Sequence, residues 1–441
     1  MYSSSETAAG QGRAWTLIQK LGEGDAGEVY RVASLTDGRS AVLKRPRRGS
    51  FPSDMIRQAA QIEKEARILK TLSAINTANR LMQIPSLLDQ SKPGTEYSER
   101  FFIVISSAPG INLIDLHRFL HFELDEQAAN PATSALSAGE LAFLKSLHKL
   151  GRIPDLVLIR SIVGTIEFLE AIHTLQTNSS SEPSAGVIWN DIKPDHIFWD
   201  LSQNRFTLID WGNAQYIEPD GITKDRQYSR LEDYLQLINS MGKFLHEAAP
   251  GLIEKLAWPE DLNSANVYSR GILPIKEHAS ELLAEEERKL QHLRQEESDI
   301  LRISNPTLKE TRALAQTQER IISLGEMPDT QYTTTFLLLL THNILASQDY
   351  SQFRSLNKII QRFPGVDLTR LQILEDILDK DRRGENLSSA LLAGLNGDWP
   401  SALWGIRLDS STCLGAPGGK TFLSRSTTLK PHRIQFVLSW Q

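Results

Sequence analysis

The sequence predicts an α+β fold in which a strand-rich N-terminal region precedes a mostly helical remainder. Residues 15–44 contain three strand-like stretches, and the pair Asp37-Gly38 marks a hairpin before the third. Residues 54–73 change to helical spacing, with apolar side chains recurring every three or four positions. Two short strands, at 186–189 and 206–209, are predicted within a chain whose pattern is otherwise mostly helical from 112 to about 405.

Chain length and charge narrow the classes of protein that fit. At 441 residues the chain exceeds one compact core, which indicates two or three structural units. Lys and Arg total 48 against 54 for Asp and Glu, and the net charge of −6 disfavours nucleic-acid or anionic-membrane binding. The strongest apolar run, 336–340, is far shorter than the ~20 residues that span a bilayer, and no secretory signal is visible. We therefore expect a cytoplasmic protein with neither nucleic acid nor membrane as a partner. The single Cys413 excludes a disulfide framework within one chain.

The first motif with chemical meaning is a glycine-rich stretch between two predicted strands. Gly22-Glu-Gly24-Asp-Ala-Gly27-Glu-Val29 fits the pattern G-x-G-x-x-G-x-V. A dinucleotide-binding fingerprint would open a helix, whereas these glycines join strand to strand, which favours a hairpin flap. Glycine lets backbone N–H donors approach phosphate oxygens closely. The alternative is a glycine-rich hairpin that binds nothing.

A lysine and a glutamate follow the flap at positions suited to pairing. Lys44 ends the predicted strand Ser40-Ala-Val42-Leu-Lys44, where an ammonium group would be a point charge for phosphate oxygens. Glu65 lies on the next predicted helix and faces the same way as its apolar stripe. We expect the two groups to form an ion pair. The alternative is that both charges are solvated, as surface Lys and Glu usually are.

Two aspartates follow the two short predicted strands. Asp191 lies in Trp189-Asn-Asp-Ile-Lys193, and Asp210 lies in Ile209-Asp-Trp-Gly. An Asp at the end of an apolar strand begins a loop from which its carboxylate can project into a cleft. One carboxylate can orient a hydroxyl while the other holds Mg²⁺ on phosphates. Asp is also a common turn former, so neither residue is specific by itself.

Taken in order, these elements resemble the eukaryotic-like protein kinases over roughly residues 15–245. The resemblance implies a bilobal protein-kinase-like fold with an all-helical C-terminal extension. It also implies domain boundaries: a flexible tail at 1–13, an N-lobe at 14–105, a C-lobe at 106–255 and a mainly helical extension of unknown role at 256–441.

The resemblance carries over to individual residues. The implied cofactors are ATP and Mg²⁺, with Mn²⁺ as an alternative. Asp233 resembles the buried Asp that anchors the catalytic loop. The implied site residues are Asp191 and Lys193 for catalysis, Asp210 and His196 for the metal, and for the nucleotide Gly22, Gly24, Gly27, Val29, Val42, Lys44, Glu65, Ile105, Ser106 and Ala108.

Several positions depart from the family pattern. His196 replaces the Asn that binds a second metal, and imidazole suits Mn²⁺ better than Mg²⁺. Asn190 replaces the Arg that pairs with a phosphorylated activation loop, so we expect no activation by phosphorylation at Thr223, Tyr228 or Ser229. Trp211 replaces Phe in Asp-Phe-Gly. Only 20 residues, 213–232, precede Asp233, and they contain no Ala-Pro-Glu.

The function that follows is an ATP-dependent phosphotransferase, a divergent protein kinase that acts on a Ser or Thr hydroxyl. One alternative is a pseudokinase scaffold, which the substitution at His196 and the absence of Ala-Pro-Glu favour. The other is a small-molecule kinase, because Ile-Asp-Trp-Gly also resembles the aminoglycoside and choline kinases. The acceptor is then a protein substrate or a small molecule. The charge-rich stretch 276–302 is either a solvated helix face or a surface for a protein partner.

Overall fold

A computed structural model describes residues 6–73, 81–95, 100–121, 136–175, 186–218, 220–224, 227–347, 355, 359–360 and 362–363. The chain divides into two compact units. The first runs to residue 295 and also takes in 319–328, and the second contains 296–318 and the residues from 329 onward.

The first unit begins with strands and one long helix, α1 Pro52–Leu72. Within the described residues up to 106, the strands are β1 Thr7–Ala9, β2 Ala14–Gly24, β3 Gly27–Ser34, β4 Ser40–Arg45, β5 Met82–Gln83, β6 Leu87–Gln90 and β7 Ile103–Ser106. Six of these strands form one sheet in which every neighbouring pair is antiparallel, in the order β1-β2-β3-β4-β7-β6.

Alternation along β4 divides the packing between the two faces of the sheet. Ala41 and Leu43 are buried in a small core that includes Trp15. Successive side chains of a strand point to opposite faces, so Val42 and Lys44 face α1 instead. This alternation places the lysine of the predicted site against the helix that carries Glu65.

The loose tail expected at 1–13 is wrong for the described residues from Thr7 onward. Thr7–Ala9 pairs with β2 as a sixth strand. The backbone N–H groups of Gln11, Gly12 and Arg13 all donate to the buried carboxylate of Asp89. The small polar side chains of this stretch gave no apolar pattern. Residues 7–13 are nevertheless ordered, because their main chain forms hydrogen bonds with the edge of the sheet and with Asp89.

The rest of the first unit is mainly helical. Helix α4 is buried along nearly its whole length, as expected for a helix that is apolar on all sides. Its elements up to residue 255 are β8 Ile111–Asn112, α2 Leu113–His121, α3 Ala138–His148, α4 Asp155–His173, β9 Gly186–Ile188, β10 Ile197–Asp200, β11 Arg205–Leu208, β12 Gln215–Ile217, α5 Arg230–Ala248 and α6 Pro250–Lys255.

Two small sheets position the predicted catalytic segments. Strands β5, β11, β10 and β8 form one sheet, and β9 pairs with β12 in the other. Trp189 directly follows β9, and Asp210 comes two residues after the end of β11. A short 3₁₀ turn, Pro194–His196, connects the first of these loops to β10. Both aspartate loops therefore start from buried strands, as the sequence predicts.

The first unit continues beyond the predicted C-lobe boundary at 255. A π-helical turn, Val267–Ile272, leads into α7, Leu273–Leu301. Ile272, Ile275 and Ala279 are buried in the same apolar core as α4 and α5.

A cluster of polar side chains, which we call the Glu326 cluster, fixes this continuation. It consists of Arg160, Asn204, Glu287, Arg294 and Glu326. The Arg160 side chain is only 9% exposed, and its Nη1 lies 2.6 Å from Glu326 Oε1. Glu287 lies 3.4 Å from Arg160 Nε, and Arg294 lies 3.3 Å from Glu326 Oε2. Asn204 also donates to Glu326. A buried guanidinium is tolerated only with such partners.

The second unit, as far as it is described, is helical. Helix α8 is Leu308–Ser323, of which 308–318 belong here, and α9 is Thr330–Ser347. Phe336 and Leu337 of the apolar run are buried in the core of this unit, with Leu314 and Ala315 of α8. Cys413 lies outside the described residues, as do residues 434–440, whose sequence predicts a terminal strand. Among the helices of the described ranges, none has both the length and the apolar character needed to cross a membrane.

Candidate active site

The three glycines of the flap differ in what requires them. Gly27 has φ +125°, and a Cβ there would lie 2.2 Å from the carbonyl oxygen of Arg45, so the fold itself requires glycine. Gly22 and Gly24 face no atom within 4 Å of such a Cβ. Neither needs to be glycine for packing, and the absence of side chains leaves the flap backbone open to close approach.

The flap is braced by paired charges beneath it. Glu28 lies 2.9 Å from Lys20 Nζ and 3.2 Å from Arg45 Nε. Burial alone would raise the pKa of Glu28, but the hydrogen bonds from Lys20 and Arg45 outweigh it and hold the pKa below its usual range. Arg47 pairs with Glu23 of the flap itself at 3.0 Å. The flap is therefore tied to the end of β4.

Lys44 stands between two carboxylates at the centre of the cleft. Its Nζ lies 2.7 Å from Glu65 Oε1 and 3.2 Å from Asp210 Oδ1. The Glu65 side chain is 1% exposed and that of Lys44 is 12% exposed. Burial alone would lower the pKa of Lys44, but the two carboxylates raise it above its ordinary value. Lys44 in turn lowers the pKa of Asp210. The predicted Lys44–Glu65 pair is confirmed.

The residues predicted to contact the adenine end lie on β7, which pairs with β4, and directly after it. Ile105 of β7 is buried and stands opposite Val42 of β4. Ser106 ends that strand, and its hydroxyl accepts a hydrogen bond from the Ser86 backbone at 2.9 Å. Ala108 follows, half-buried. Val29 is half-buried on β3, opposite Lys44 in register. The predicted nucleotide residues therefore lie along neighbouring strands.

The loop that carries Asp191 is held by main-chain hydrogen bonds. The fully buried Asp233 accepts from the backbone N–H of Trp189 at 2.9 Å and of Asn190 at 2.7 Å. His173 lies 2.8 Å from the same carboxylate. Asn190 takes φ +58°, an unusual value outside glycine. The anchoring role that the resemblance implied for Asp233 is confirmed by these contacts.

Two tryptophans join the loop of Asp191 to the loop of Asp210. The rings of Trp189 and Trp211 are fully buried and stacked, with centroids 5.3 Å apart and planes 18° from parallel. Trp189 Nε1 donates to the carbonyl oxygen of Asp210 at 3.2 Å. Asp210 itself has φ +61°, which costs conformational energy for a residue with a side chain. The stack and the indole hydrogen bond hold it there.

The carboxylate of Asp191 is contacted on both oxygens. Lys193 Nζ lies 2.6 Å from Oδ1, and Asn213 Nδ2 donates to Oδ2 at 3.2 Å. Burial alone would lower the pKa of Lys193, but Asp191 raises it. The Lys193 side chain is 52% exposed, so this ammonium group borders solvent, unlike that of Lys44. Lys193 thus lies at the surface, next to the mostly buried side chain of Asp191.

His196 bridges the two aspartate loops. Its Nδ1 lies 2.9 Å from the carbonyl oxygen of Asp191, and its Nε2 lies 3.7 Å from Asp210 Oδ2. A carbonyl oxygen can only accept, so Nδ1 carries the hydrogen, and in the neutral ring Nε2 presents its lone pair toward Asp210. One donor atom each from Asp191, His196 and Asp210 lies within 4.8 Å of the others. Two carboxylates and an imidazole fit a divalent cation.

The segment after Asp210 is folded back on itself. Isolated bridges join Ile217 to Thr223 and Ile222 to Ser229. The Thr223 residue is 1% exposed, and its hydroxyl accepts from the Tyr228 backbone at 3.2 Å. Ser229 caps α5 by accepting from Leu231 N–H. Two of the three hydroxyls considered for phosphorylation therefore serve local structure.

Three residues of the site were not predicted as functional. Trp189 entered the sequence analysis only as part of the Asp191 loop. Gln61 and Asn213 had no role assigned, although Gln61 precedes Glu65 by one helical turn and Asn213 directly follows the Asp210 motif. For Gln61 the spacing could have indicated a role, since residues four apart share one face of a helix. For Asn213 the only indication was its position directly after the Asp210 motif.

Comparison with known proteins bears on this geometry. Residues 18–220, somewhat less than half of the chain, match the model of the phosphotransferase enzyme family APH. A search of curated proteins finds no significant match. Among solved structures, that of vaccinia related kinase 3 is 14% identical, with a TM-score of 0.33, and the alignment covers 64% of this chain and 76% of that one.

The family match coincides with the part of the chain that supplies the cleft. It includes the flap, the Lys44–Glu65 pair and both aspartate loops. Over residues 18–220 the chain is therefore similar to a family of phosphotransferase enzymes.

Proposed function

We propose that the protein binds ATP in this cleft and transfers its γ-phosphoryl group to a hydroxyl. The observation that carries the proposal is the position of Lys44, which Glu65 and Asp210 hold near the flap. In that flap, Gly22 and Gly24 have no packing role. A cation fixed by two carboxylates keeps its position when a polyphosphate arrives, because it needs no reorganisation. A solvated lysine would not give this support.

Each residue would act mainly by positioning and by charge. The flap would surround the phosphates with backbone N–H groups, and Lys44 would neutralise part of their charge. Asp191 would orient the acceptor hydroxyl and accept its proton, and the Lys193 ammonium, which contacts Asp191, would stabilise charge on the transferred group. Phosphoryl transfer asks little covalent chemistry of the protein, so this division of roles is sufficient.

Asp210 and His196 would hold the divalent cation that ATP brings to the site. When bound, such a cation screens the phosphate oxygens from each other and from the attacking hydroxyl. Nε2 of His196 presents a lone pair toward Asp210 and can act as a nitrogen ligand. Mg²⁺ favours oxygen ligands, whereas Mn²⁺ accepts imidazole more readily, so we propose that the site prefers Mn²⁺. His196→Asn should narrow the ratio of Mn²⁺ to Mg²⁺ affinities. Mn²⁺ binding measured by electron paramagnetic resonance, with and without ATP, tests this without turnover. An unchanged ratio would make His196 structural.

The acceptor we propose first is a Ser or Thr hydroxyl of a protein. Support comes from Lys193, which contacts Asp191 at 2.6 Å and fits the Asp-x-Lys pattern of the protein kinases. A small-molecule hydroxyl is the second candidate. It is supported by the shortness of the segment between Gly212 and Asp233 and by the bridges that join Ile217 to Thr223 and Ile222 to Ser229 among its described residues.

The experiment that tests the function is γ-phosphoryl transfer from labelled ATP with Mg²⁺ or Mn²⁺, alongside Asp210→Ala. Transfer by the wild type that Asp210→Ala abolishes supports the proposal. A thermal shift with ATP but no transfer to protein, peptide or small-molecule acceptors would indicate a pseudokinase. Absence of any nucleotide binding would overturn the proposal altogether.

A further inference from the structure

A chain of two side-chain amides connects helix α1 to Asp191. Gln61 Nε2 lies 3.2 Å from Asn213 Oδ1, and Asn213 Nδ2 lies 3.2 Å from Asp191 Oδ2. None of these residues except Asp191 was expected to function. The contacts join two segments 152 residues apart, so local sequence does not impose them.

The direction of this chain is fixed by chemistry. An ionised carboxylate can only accept, so Asn213 must present its NH₂ group to Asp191. Its carbonyl oxygen then faces Gln61, which must donate in turn. The two amides therefore have one consistent orientation, and a hydrogen-bond acceptor at position 61 would break it.

Gly212 lies directly beside this contact. A Cβ at this position would lie 3.4 Å from Gln61 Nε2, about van der Waals distance. Gln61 is half-buried and one turn before Glu65 on α1. One face of α1 thus reaches both ends of the machinery, through Glu65 to Lys44 and through Gln61 to Asp191.

We propose that Gln61 and Asn213 are positioning residues that fix the carboxylate plane of Asp191 and make it depend on the position of α1. Lys193 and Asn213 each take one lone pair of the carboxylate, on opposite oxygens. A carboxylate has about four lone-pair positions, so two remain on Asp191. Because the carboxylate is fixed, these two point in a defined direction toward the hydroxyl that would receive the phosphoryl group. A displacement of α1 would release Lys44 and Asp191 together.

This inference rests on the proposed function only for its kinetic effect, so the test has two independent readouts. The variants are Asn213→Ala, Gln61→Ala, Gln61→Glu and the double alanine variant. Arg57→Ala, on an exposed position of the same helix, is the matched control. Thermal unfolding of each variant should stay near that of the wild type.

In kinetics, Asn213→Ala should lower kcat about tenfold and leave KM for ATP within about twofold, because nucleotide contacts are untouched. Gln61→Glu should be worse than Gln61→Ala. The new carboxylate accepts only, so Asn213 would turn its NH₂ toward it and its oxygen toward Asp191. The double variant should be no worse than Asn213→Ala alone, since the two residues act in series.

Hydrogen exchange supplies the readout that needs no turnover. Backbone amides at 190–193 and 212–214 should exchange about threefold faster in Asn213→Ala and in Gln61→Glu than in the wild type or Arg57→Ala. Unchanged exchange and unchanged kcat, multiplicative effects in the double variant, or a loss confined to KM would each overturn the proposal. If the wild type transfers no phosphate, the proposed function fails, and the exchange rates alone decide on the connection.

Discussion

The nucleotide side of the cleft and its catalytic-loop side keep their geometry by different means. On the nucleotide side, Lys44 is nearly buried between Glu65 and Asp210, and the residue types are those of the protein kinases. On the catalytic-loop side, Trp189 and His196 hold the two aspartate loops through single hydrogen bonds to the main chain. Trp189 donates to the carbonyl of Asp210, and His196 donates to that of Asp191. A side chain that donates a single hydrogen bond to the main chain can be replaced by a different donor. A buried charged side chain cannot be replaced in this way.

The sharpest test of this contrast compares the two lysines. Lys44→Met should reduce phosphoryl transfer by about 10²–10³-fold and weaken ATP binding, because it removes the cation at the phosphates and leaves Glu65 buried without a partner. Lys193→Met should reduce kcat about tenfold with ATP affinity unchanged, because its ammonium borders solvent. Transfer kinetics and ATP titration calorimetry measure both. Equal losses from the two substitutions would remove the distinction.

A smaller effect is expected from the tryptophan pair. Trp189→Phe retains an aromatic ring against Trp211 but loses the donor to Asp210, so we expect a five- to tenfold lower kcat, equivalent to about 1 kcal/mol. Trp211→Phe is the matched control, since it makes the same change to the other ring of the stack but loses the hydrogen bond to Leu208 instead of the one to Asp210. Metal-dependent transfer is the measurement. A greater loss in Trp211→Phe would show that stacking, not the donor, holds Asp210.

Charge at the flap predicts a dependence of stability on pH. The pKa of Glu28 is held below its unfolded value, so its ion pairs contribute stability above about pH 4.3, and that contribution is lost as pH falls through the lower folded pKa. Glu28→Gln should lower the free energy of unfolding by about 1 kcal/mol near pH 7 and show less acid sensitivity below pH 4. Thermal unfolding between pH 3 and 7 tests this. Parallel curves for the two proteins would assign the acid sensitivity to other groups.

The smallest expected effect is that of phosphorylation. Asn190 brings no positive charge to the loop, Thr223 is buried, and Ser229 is engaged as a helix cap. Phosphatase treatment should therefore leave the transfer rate unchanged. Ser229→Ala should cost about 1 kcal/mol of stability through the lost cap, again without changing the rate. A rate that falls after phosphatase treatment would contradict this and would direct attention to Tyr228.

Much of the nucleotide side was predictable because its residues carry their own signals. Glycines between strands, a lysine ending a strand and a glutamate in helical phase predict a cleft before any contact is known, and the Lys44–Glu65 pair is present. The strand at Thr7–Ala9 was missed because main-chain pairing leaves no mark on small polar side chains. The amide contacts of Asn213 were missed because they depend on residues far apart in sequence.

The first unit extends beyond the predicted C-lobe boundary at 255, and here too the cause is contacts between residues far apart in the sequence. Apolar periodicity showed that residues beyond 255 are helical, but not which core they join. Ile272 and Ile275 are buried with α4 and α5, so the first unit extends well past that position. Contacts between distant helices are decided by shape, and a pattern of spacing contains no information about a partner.

The Glu326 cluster has a practical consequence for anyone who wishes to express the region that contains the proposed active site by itself. A fragment ending at 220, where the family match stops, or at 255 would retain Arg160 in its nearly buried place without Glu287 and Glu326. Removing the partners of a buried charge costs about 3–5 kcal/mol, a large share of the stability of an ordinary domain. Soluble expression is therefore expected only from fragments that extend at least to residue 328. Residues 256–295 and 319–328, which lie beyond the predicted C-lobe boundary, are therefore a structural part of the first unit.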